Sequence, residues 1–278
     1  LEVQGDKMKR VIAALSDLHI FSRYALMPPE FTTIQGSKMI ASPGQMEIWE
    51  HYLGYAKACD RDQVDTVLVV GDTIHGQNFI ERGTMLMSAE LDEQVDVGCQ
   101  VLDLLVNPGG GLPKRKLIMF GGSGYHKSTK GHNPEKDICD RLGGVWKGMV
   151  ANLQFAPCKK VFNILHGESA SYIYREMMIG RELMFIKFAE ATGKIPKIDV
   201  MVRGHWHNFI YLHEKDLHAI QLPCWMGFEP NKIYLKSYGK MQPDIGGCIF
   251  YLDDYDRLRV WHFTMDEIPH FHDAVEEV

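Results

Sequence analysis

The chain contains no CxxC pair, although it carries six cysteines in 278 residues. Scattered at positions 59, 99, 139, 158, 224 and 248, they read as reduced, buried thiols and exclude a disulfide scaffold or a cysteine-ligated zinc site. No apolar run approaches the roughly 18 residues of a membrane-spanning helix. The run Val11–Leu15 stops at Ser16-Asp17, too short for the core of a signal peptide. A cytoplasmic location with no membrane partner is the expectation. Basic charge is also not in surplus: 30 Lys+Arg against 36 Asp+Glu give a net charge of −6. That argues against a globally basic nucleic-acid-binding surface and leaves only a local groove open. There is no G-x-S-x-G elbow for a serine nucleophile, no internal repeat and no low-complexity segment. Residues 1–7 precede Met8 and are expected to be an expression remnant, with 8–278 forming one domain.

Short β-branched runs alternate with longer helical patterns, which predicts an α/β layered architecture. Strands are expected at Val11–Leu15, Thr66–Val70, Lys116–Phe120, Val161–Leu165 and Asp199–Arg203, each nearly continuous in apolar residues as for strands covered on both faces. Ser42-Pro43 reads as a helix start leading into Met46, Trp49, Leu53 and Ala56. A second helix carries Leu91, Val95, Cys99, Leu102 and Val106 and stops at Asn107-Pro108-Gly109. A third is expected from near Ser169 to Thr192-Gly193. After residue 205 the texture turns to β, at 209–212, 218–222, 247–252 and 258–263, with Asp253-Asp254 as a hairpin turn. Residues 21–45 form a long irregular stretch containing Pro28-Pro29, expected to act as a lid or substrate wall.

The strand ends carry the chemistry. The five strand candidates run into Ser16-Asp17-Leu18-His19, Gly71-Asp72-Thr73-Ile74-His75, Gly121-Gly122-Ser123-Gly124-Tyr125-His126, His166-Gly167 and Gly204-His205-Trp206-His207. Ligands bind at the carboxyl ends of strands in α/β sheets, so these side chains would converge on one small volume. Within Asp17-Leu18-His19 and His205-Trp206-His207 the polar residues are two apart and project to the same side of extended backbone. Carboxylate oxygen and imidazole nitrogen suit zinc, manganese, iron or nickel, and magnesium less among so many imidazoles; two divalent ions, manganese foremost, are the expectation. Two aspartates and this many histidines exceed what one tetrahedral ion requires. Asp72 bridging two ions would use them all, as in phosphoryl hydrolysis.

Taken in order, D-x-H, G-D, G-x-x-x-H, H-G and G-H-x-H resemble the calcineurin-like metallophosphoesterase superfamily, over Asp17 to His207. The resemblance implies a four-layer α/β/β/α sandwich with flanking helices. It places one ion on Asp17, His19, Asp72 and His207, and the other on Asp72, His166 and His205. Leu26-Met27-Pro28-Pro29-Glu30 and Pro243-Asp244-Ile245-Gly246-Gly247 are similar to phage- and archaeal-type members, which for a phage protein would mean the host cytoplasm. The family's third motif is Gly-Asn-His followed by Asp or Glu, and here no Asn is present. Ser123, Asn133 or a water would then replace that ligand, with His126 as general acid or phosphate-orienting group. The implied activity is hydrolysis of phosphoester bonds, foremost as a phosphodiesterase or nuclease on nucleic acid, single strands included, or on nucleotides. A phosphomonoesterase and an inactive binding module are the alternatives. Lys127, Lys130 and Lys136 would meet substrate phosphates, and Phe21, Tyr24 and Tyr125 would stack on a base or simply pack. His75 is either a partner of the metal ligands or a helix-start residue. His213 and His218 are expected to be structural, His270 and His272 to lie in a solvated tail, and Lys114-Arg115-Lys116 to be solvated.

Overall fold

The computed structural model describes residues 8–78, 83–109, 111–126, 133–167, 175–227, 242–253, 255–267 and 269. In chain order the elements are β1 (Met8–Leu15), β2 (Glu30–Thr32), β3 (Lys38–Ile40), α1 (Pro43–Arg61), β4 (Thr66–Val70), α2 (Leu91–Val106), β5 (Lys116–Phe120), α3 (Pro134–Arg141) and β6 (Val145–Trp146). Then follow β7 (Val150–Gln154), β8 (Val161–Leu165), α4 (Glu176–Ala191), β9 (Val200–Arg203), β10 (Ile210–Glu214), β11 (Leu217–Gln221), β12 (Gly246–Asp253) and β13 (Leu258–Thr264).

Successive side chains of a strand point to opposite faces, and here both faces are apolar. On β1, β4 and β5, Val11, Ala13, Leu15, Val67, Val69, Leu117 and Met119 face one core together with Ile48 and Tyr52 of α1 and Leu102 of α2. The alternate residues Ile12, Ala14, Leu68, Val70, Ile118 and Phe120 face a second core, shared with Phe162, Ile164, Val200, Val202 and Ile220. A third core joins Met201, Leu217 and Ala219 to Ile179, Leu183 and Ile186 of α4. Three apolar interfaces between four layers make an α/β/β/α sandwich.

The first sheet has strand order β13-β12-β1-β4-β5-β6 and the second β10-β11-β9-β8-β7. Strands β1, β4 and β5 are parallel, as are β8 and β9. The five strands that lead into Asp- or His-bearing loops therefore divide between two sheets, whereas their sequence alone reads as strands of one open sheet. Both groups deliver their carboxyl ends to the same edge of the sandwich.

Local signals explain most elements. Ser42 and Gln45 form a reciprocal capping box ahead of Pro43, with Ser42 Oγ accepting from Gln45 N at 3.3 Å and Gln45 Oε1 from Ser42 N at 3.0 Å. The Gln45 side-chain amide then donates to the carbonyls of Ser22 and Ala25, pinning the chain that follows the first motif. All six cysteines are free thiols. No helix among the described residues is long and apolar enough to cross a membrane.

Several expectations are corrected. The stretch 21–45 is not irregular throughout: β2 and β3 pair as a short hairpin, and α1 begins at Pro43. Phe21 and Tyr24 are buried, Phe21 packing edge to face on Phe31, which removes them as base-stacking surfaces. Arg115 is not solvated: it is buried, pairs with Asp60 at 2.5 Å and donates to the carbonyls of Val64 and Leu105. His213 and His218 stack across the β10–β11 hairpin at 4.1 Å. The described part of the third expected helix is α4, from Glu176. Ser169, Lys127, Lys130, Asp254, His270 and His272 lie outside the described residues, as does the side chain of Tyr125.

Candidate metal centre

Four loops that leave β1, β4, β8 and β9 bring six side chains together. Asp17, His19 and His207 form one group, and Asp72, His166 and His205 another, with ligand atoms in each within 4.8 Å of one another. Their backbone is unusual. Asp17, His19, Asp72, His205 and His207 have φ values of 53, 45, 49, 78 and 58°, in the left-handed region that side chains other than glycine rarely occupy. Each such residue costs on the order of 1–3 kcal/mol, and persists only where its surroundings over-determine it. Here they do. Asp17 N donates to Gly71 O, His19 N to Asp72 O, Trp225 N to Asp17 O and Asp244 N to His207 O, all at 2.9–3.1 Å. Strain concentrated on five converging polar residues points to function at this position.

Two glycines make the approach close enough. A Cβ on Gly122 would fall on the carboxylate and backbone nitrogen of Asp72, and one on Gly204 would strike the Ser16 hydroxyl and the Asp17 carboxylate.

The two carboxylates are oriented from outside the cluster. Asp17 Oδ2 accepts from His205 N at 2.8 Å and lies 2.6 Å from Ser16 Oγ, which is also 2.7 Å from Val70 O and can give its one proton to either. Asp17 Oδ1 is buried and accepts no hydrogen bond, but faces Nε2 of His207, His166 and His19 at 3.2, 3.6 and 3.7 Å. Asp72 Oδ1 accepts from Ser123 N at 2.7 Å, and Oδ2 lies 2.9 Å from His166 Nε2 and 3.2 Å from Ser123 Oγ. His166 Nδ1 sits 2.7 Å from Val70 O. Because a carbonyl only accepts, that nitrogen carries the proton and Nε2 is the one turned to the carboxylates.

This geometry suits divalent cations. Ligands bonded at about 2.1 Å and 90–110° apart stand roughly 3.0–3.4 Å from one another. His19 Nε2 and His207 Nε2 are 3.0 Å apart, and His207 Nε2 and Asp17 Oδ1 3.2 Å. A buried carboxylate oxygen ringed by three imidazole nitrogens is the feature an ion would satisfy.

Without an ion, protons hold the charges together. Burial works against ionising Asp17, yet His166 and His207 outweigh it and keep its pKa well below the usual carboxylate range. Asp72 is lowered likewise, burial being overcome by His126 and His166. For His166, burial is outweighed by Asp72 and Asp17, and the pKa stands at about 10. For His207, burial is outweighed by Cys224 and Asp17, again giving about 10. These raised values stabilise the metal-free fold fully below the ordinary histidine value of about 6.5, and that contribution is lost as pH rises toward 10. The thermal midpoint of the metal-free protein is therefore expected to fall between pH 7 and pH 10. Because ligating imidazoles must be neutral, manganese uptake at pH 8 is expected to release about two protons per chain, measurable by calorimetry in buffers of different ionisation enthalpy.

Sequence reasoning missed Glu135. This buried side chain at the start of α3 accepts from Thr73 N at 2.9 Å through Oε1 and from Gly122 N at 2.8 Å through Oε2. It thereby clamps the loop after β4 to the loop after β5 and fixes Ser123 against Asp72. Burial and the neighbouring Asp72 raise its pKa. Glu135→Gln, which replaces one acceptor by a donor facing an N–H, is expected to weaken manganese binding about 10- to 100-fold by titration calorimetry. Of the candidates for the missing amide ligand, Ser123 lies against Asp72, whereas Asn133 Oδ1 caps α3 by accepting from Lys136 N at 3.3 Å. Lys136 itself pairs with Asp140. His126 is buried beside the centre, Nε2 3.6 Å from Asp72 Oδ2, and His75 is buried next to it and lies well before the next helix, α2.

No protein-family model matches this chain, and no curated protein matches it. Among solved structures it is similar to an archaeal phosphodiesterase, with 14% identity and a TM-score of 0.48 over 91% of this chain and 99% of that one. It is also similar to Vps29 from Chaetomium thermophilum, with 10% identity and a TM-score of 0.44 over 92% and 97% of the two chains. Vps29 from Entamoeba histolytica, complexed with zinc, shows 12% identity and a TM-score of 0.42 over 91% and 99%. The layered architecture and the order of Asp and His around its edge resemble the calcineurin-like metallophosphoesterases.

Proposed function

We propose that this chain is a phosphoesterase that hydrolyses phosphodiester bonds with two divalent cations. Asp17, His19, Asp72 and His207 would hold one, and Asp72, His166 and His205 the other. The observation that carries the reading is the buried Asp17 Oδ1, without a hydrogen-bond donor and faced by three imidazoles. When bound, the cations supply positive charge against the phosphoryl oxygens and increase the acidity of water.

The chain's own residues do the rest. Asp72 belongs to the second group, its Oδ2 2.9 Å from His166 Nε2, and would be shared with the first ion. Ser123 N and Glu135 hold its orientation before substrate arrives, so little reorganisation is left for the reaction. His126 is anchored through Nδ1 to His75 O at 2.6 Å, which leaves Nε2 to hold or deliver a proton at the departing oxygen. His126→Ala is expected to lower kcat for a diester by about 10²- to 10⁴-fold while two manganese ions remain bound. The loss should be larger for an alkyl leaving group than for p-nitrophenolate, which needs no proton. Equal rates for variant and parent on both would remove His126 from the chemistry.

A binding module that keeps the fold without catalysis is disfavoured by the centre itself. Close, buried carboxylates repel each other without a cation or protons between them, and nothing maintains such an arrangement in an abandoned site. With Phe21 and Tyr24 buried, base stacking no longer favours nucleic acid, and the substrate class rests on a direct assay. Metal analysis of purified protein, followed by turnover of bis- and mono-p-nitrophenyl phosphates and labelled single-stranded oligonucleotides, tests the reading. Two equivalents of transition metal with diester cleavage support it. No metal uptake and no turnover in added manganese would leave the binding module.

A further inference from the structure

The two carboxylate-containing groups do not account for all the imidazoles at this edge. His19, His75 and His126 form a third group, all three buried and each offering a nitrogen within 4.8 Å of the others. They come from the loops after β1, β4 and β5, and their ring centroids are 4.6–5.6 Å apart.

Two further observations point to a ligand. The His126 Nδ1 contact with the carbonyl of His75 fixes the neutral ring with its proton on Nδ1 and its lone pair on Nε2, the arrangement that metal-binding histidines adopt. Independently, His19 Nδ1 is buried and has no hydrogen-bond partner among the described residues, although His19 is only 3% exposed. A buried nitrogen left without a partner is costly, and a cation would satisfy it. His19 has two ring nitrogens, so ligation through Nε2 on the His207 side leaves Nδ1 for another ion.

We propose that His19, His75 and His126 constitute a third cation site, an all-imidazole one that takes zinc-class ions in preference to manganese or magnesium. It goes beyond the two-cation reading and does not depend on it. Three imidazole nitrogens suit zinc, whereas manganese and magnesium favour carboxylate and water oxygens; the carboxylate beside this group, Asp72, keeps its Oδ2 3.6 Å from His126 Nε2 and belongs to the second group. An ion there would also engage the His126 nitrogen that the hydrolytic reading turns toward substrate.

The test is metal stoichiometry of the full chain after equilibrium dialysis against zinc or manganese, for the parent and for His75→Phe, which keeps ring volume and removes the ligand. The parent is expected to hold three zinc ions but two manganese ions, and His75→Phe two of either. A parent that holds no more zinc than manganese, or a His75→Phe variant that keeps the third zinc, would overturn the proposal. If manganese does not bind at all, a single zinc lost in His75→Phe still establishes the imidazole site while refuting the two-cation reading. Should His75→Phe fail to fold, zinc-edge anomalous diffraction from parent crystals decides: a peak among the three imidazoles supports the site, and its absence refutes it.

Discussion

Asp72→Asn is expected to abolish metal binding at the paired centre and to lower phosphodiester turnover about 10³-fold or more, with the fold intact. The substitution is nearly isosteric. An amide can still accept from Ser123 N through its oxygen, which Asp72 Oδ1 now does at 2.7 Å. Its nitrogen then faces His166 Nε2, 2.9 Å from Oδ2 in the parent, and donates to it once that imidazole, no longer paired with the Asp72 charge, is neutral with its proton on the Nδ1 that contacts Val70 O. What disappears is the negative charge of the second group, which in the proposed centre would be shared by both ions. Thermal midpoints of the metal-free variant should fall below the parent at neutral pH, where the His166–Asp72 pair stabilises the fold, and manganese should no longer raise them. A variant that retained both ions would show that Asp72 is not shared.

The second large effect is expected from a single methyl group. Gly122→Ala would place a Cβ on the Asp72 carboxylate and within clash distance of its backbone nitrogen. The space cannot be regained by a flexible side chain, because Gly122 N is held by Glu135 and Asp72 carries a strained φ of 49°. Manganese affinity should fall about 100-fold or more, with about 1–3 kcal/mol of stability lost to overpacking. Titration calorimetry and thermal unfolding of the same preparation measure both. An alanine variant with parental affinity would mean that the loops after β4 and β5 move apart freely, against the clamp assigned to Glu135.

The parts of this molecule legible in its sequence are those encoded by neighbouring residues. Strands β1, β4, β5, β8 and β9 are nearly continuous apolar runs with Asp or His within six residues after them, and the Ser42-Pro43-Gln45 signal marks the start of α1. The hairpin of β2 and β3 has three-residue strands, too short for any periodicity to register. The exposed, alternating Val150–Gln154 forms an edge strand with only Ala151 and Leu153 turned to the core to announce it. The split of five parallel strands into two sheets depends on this edge strand, which opens the second sheet by pairing antiparallel with β8. Glu135 was illegible for a different reason. Its partners, Thr73 and Gly122, lie 62 and 13 residues away and are backbone nitrogens, which have no residue-type signature. The same holds for the left-handed backbone of Asp17, His19, Asp72, His205 and His207, imposed by cross-links between loops and invisible in any local pattern.

The most direct test of the paired centre is anomalous diffraction from crystals of the full chain soaked in manganese. Two peaks are expected, one bounded by Asp17, His19 and His207 and the other by Asp72, His166 and His205, with the Asp72 carboxylate touching both. Ordered imidazoles and carboxylates in the arrangement described, with no anomalous density between them, would contradict the account.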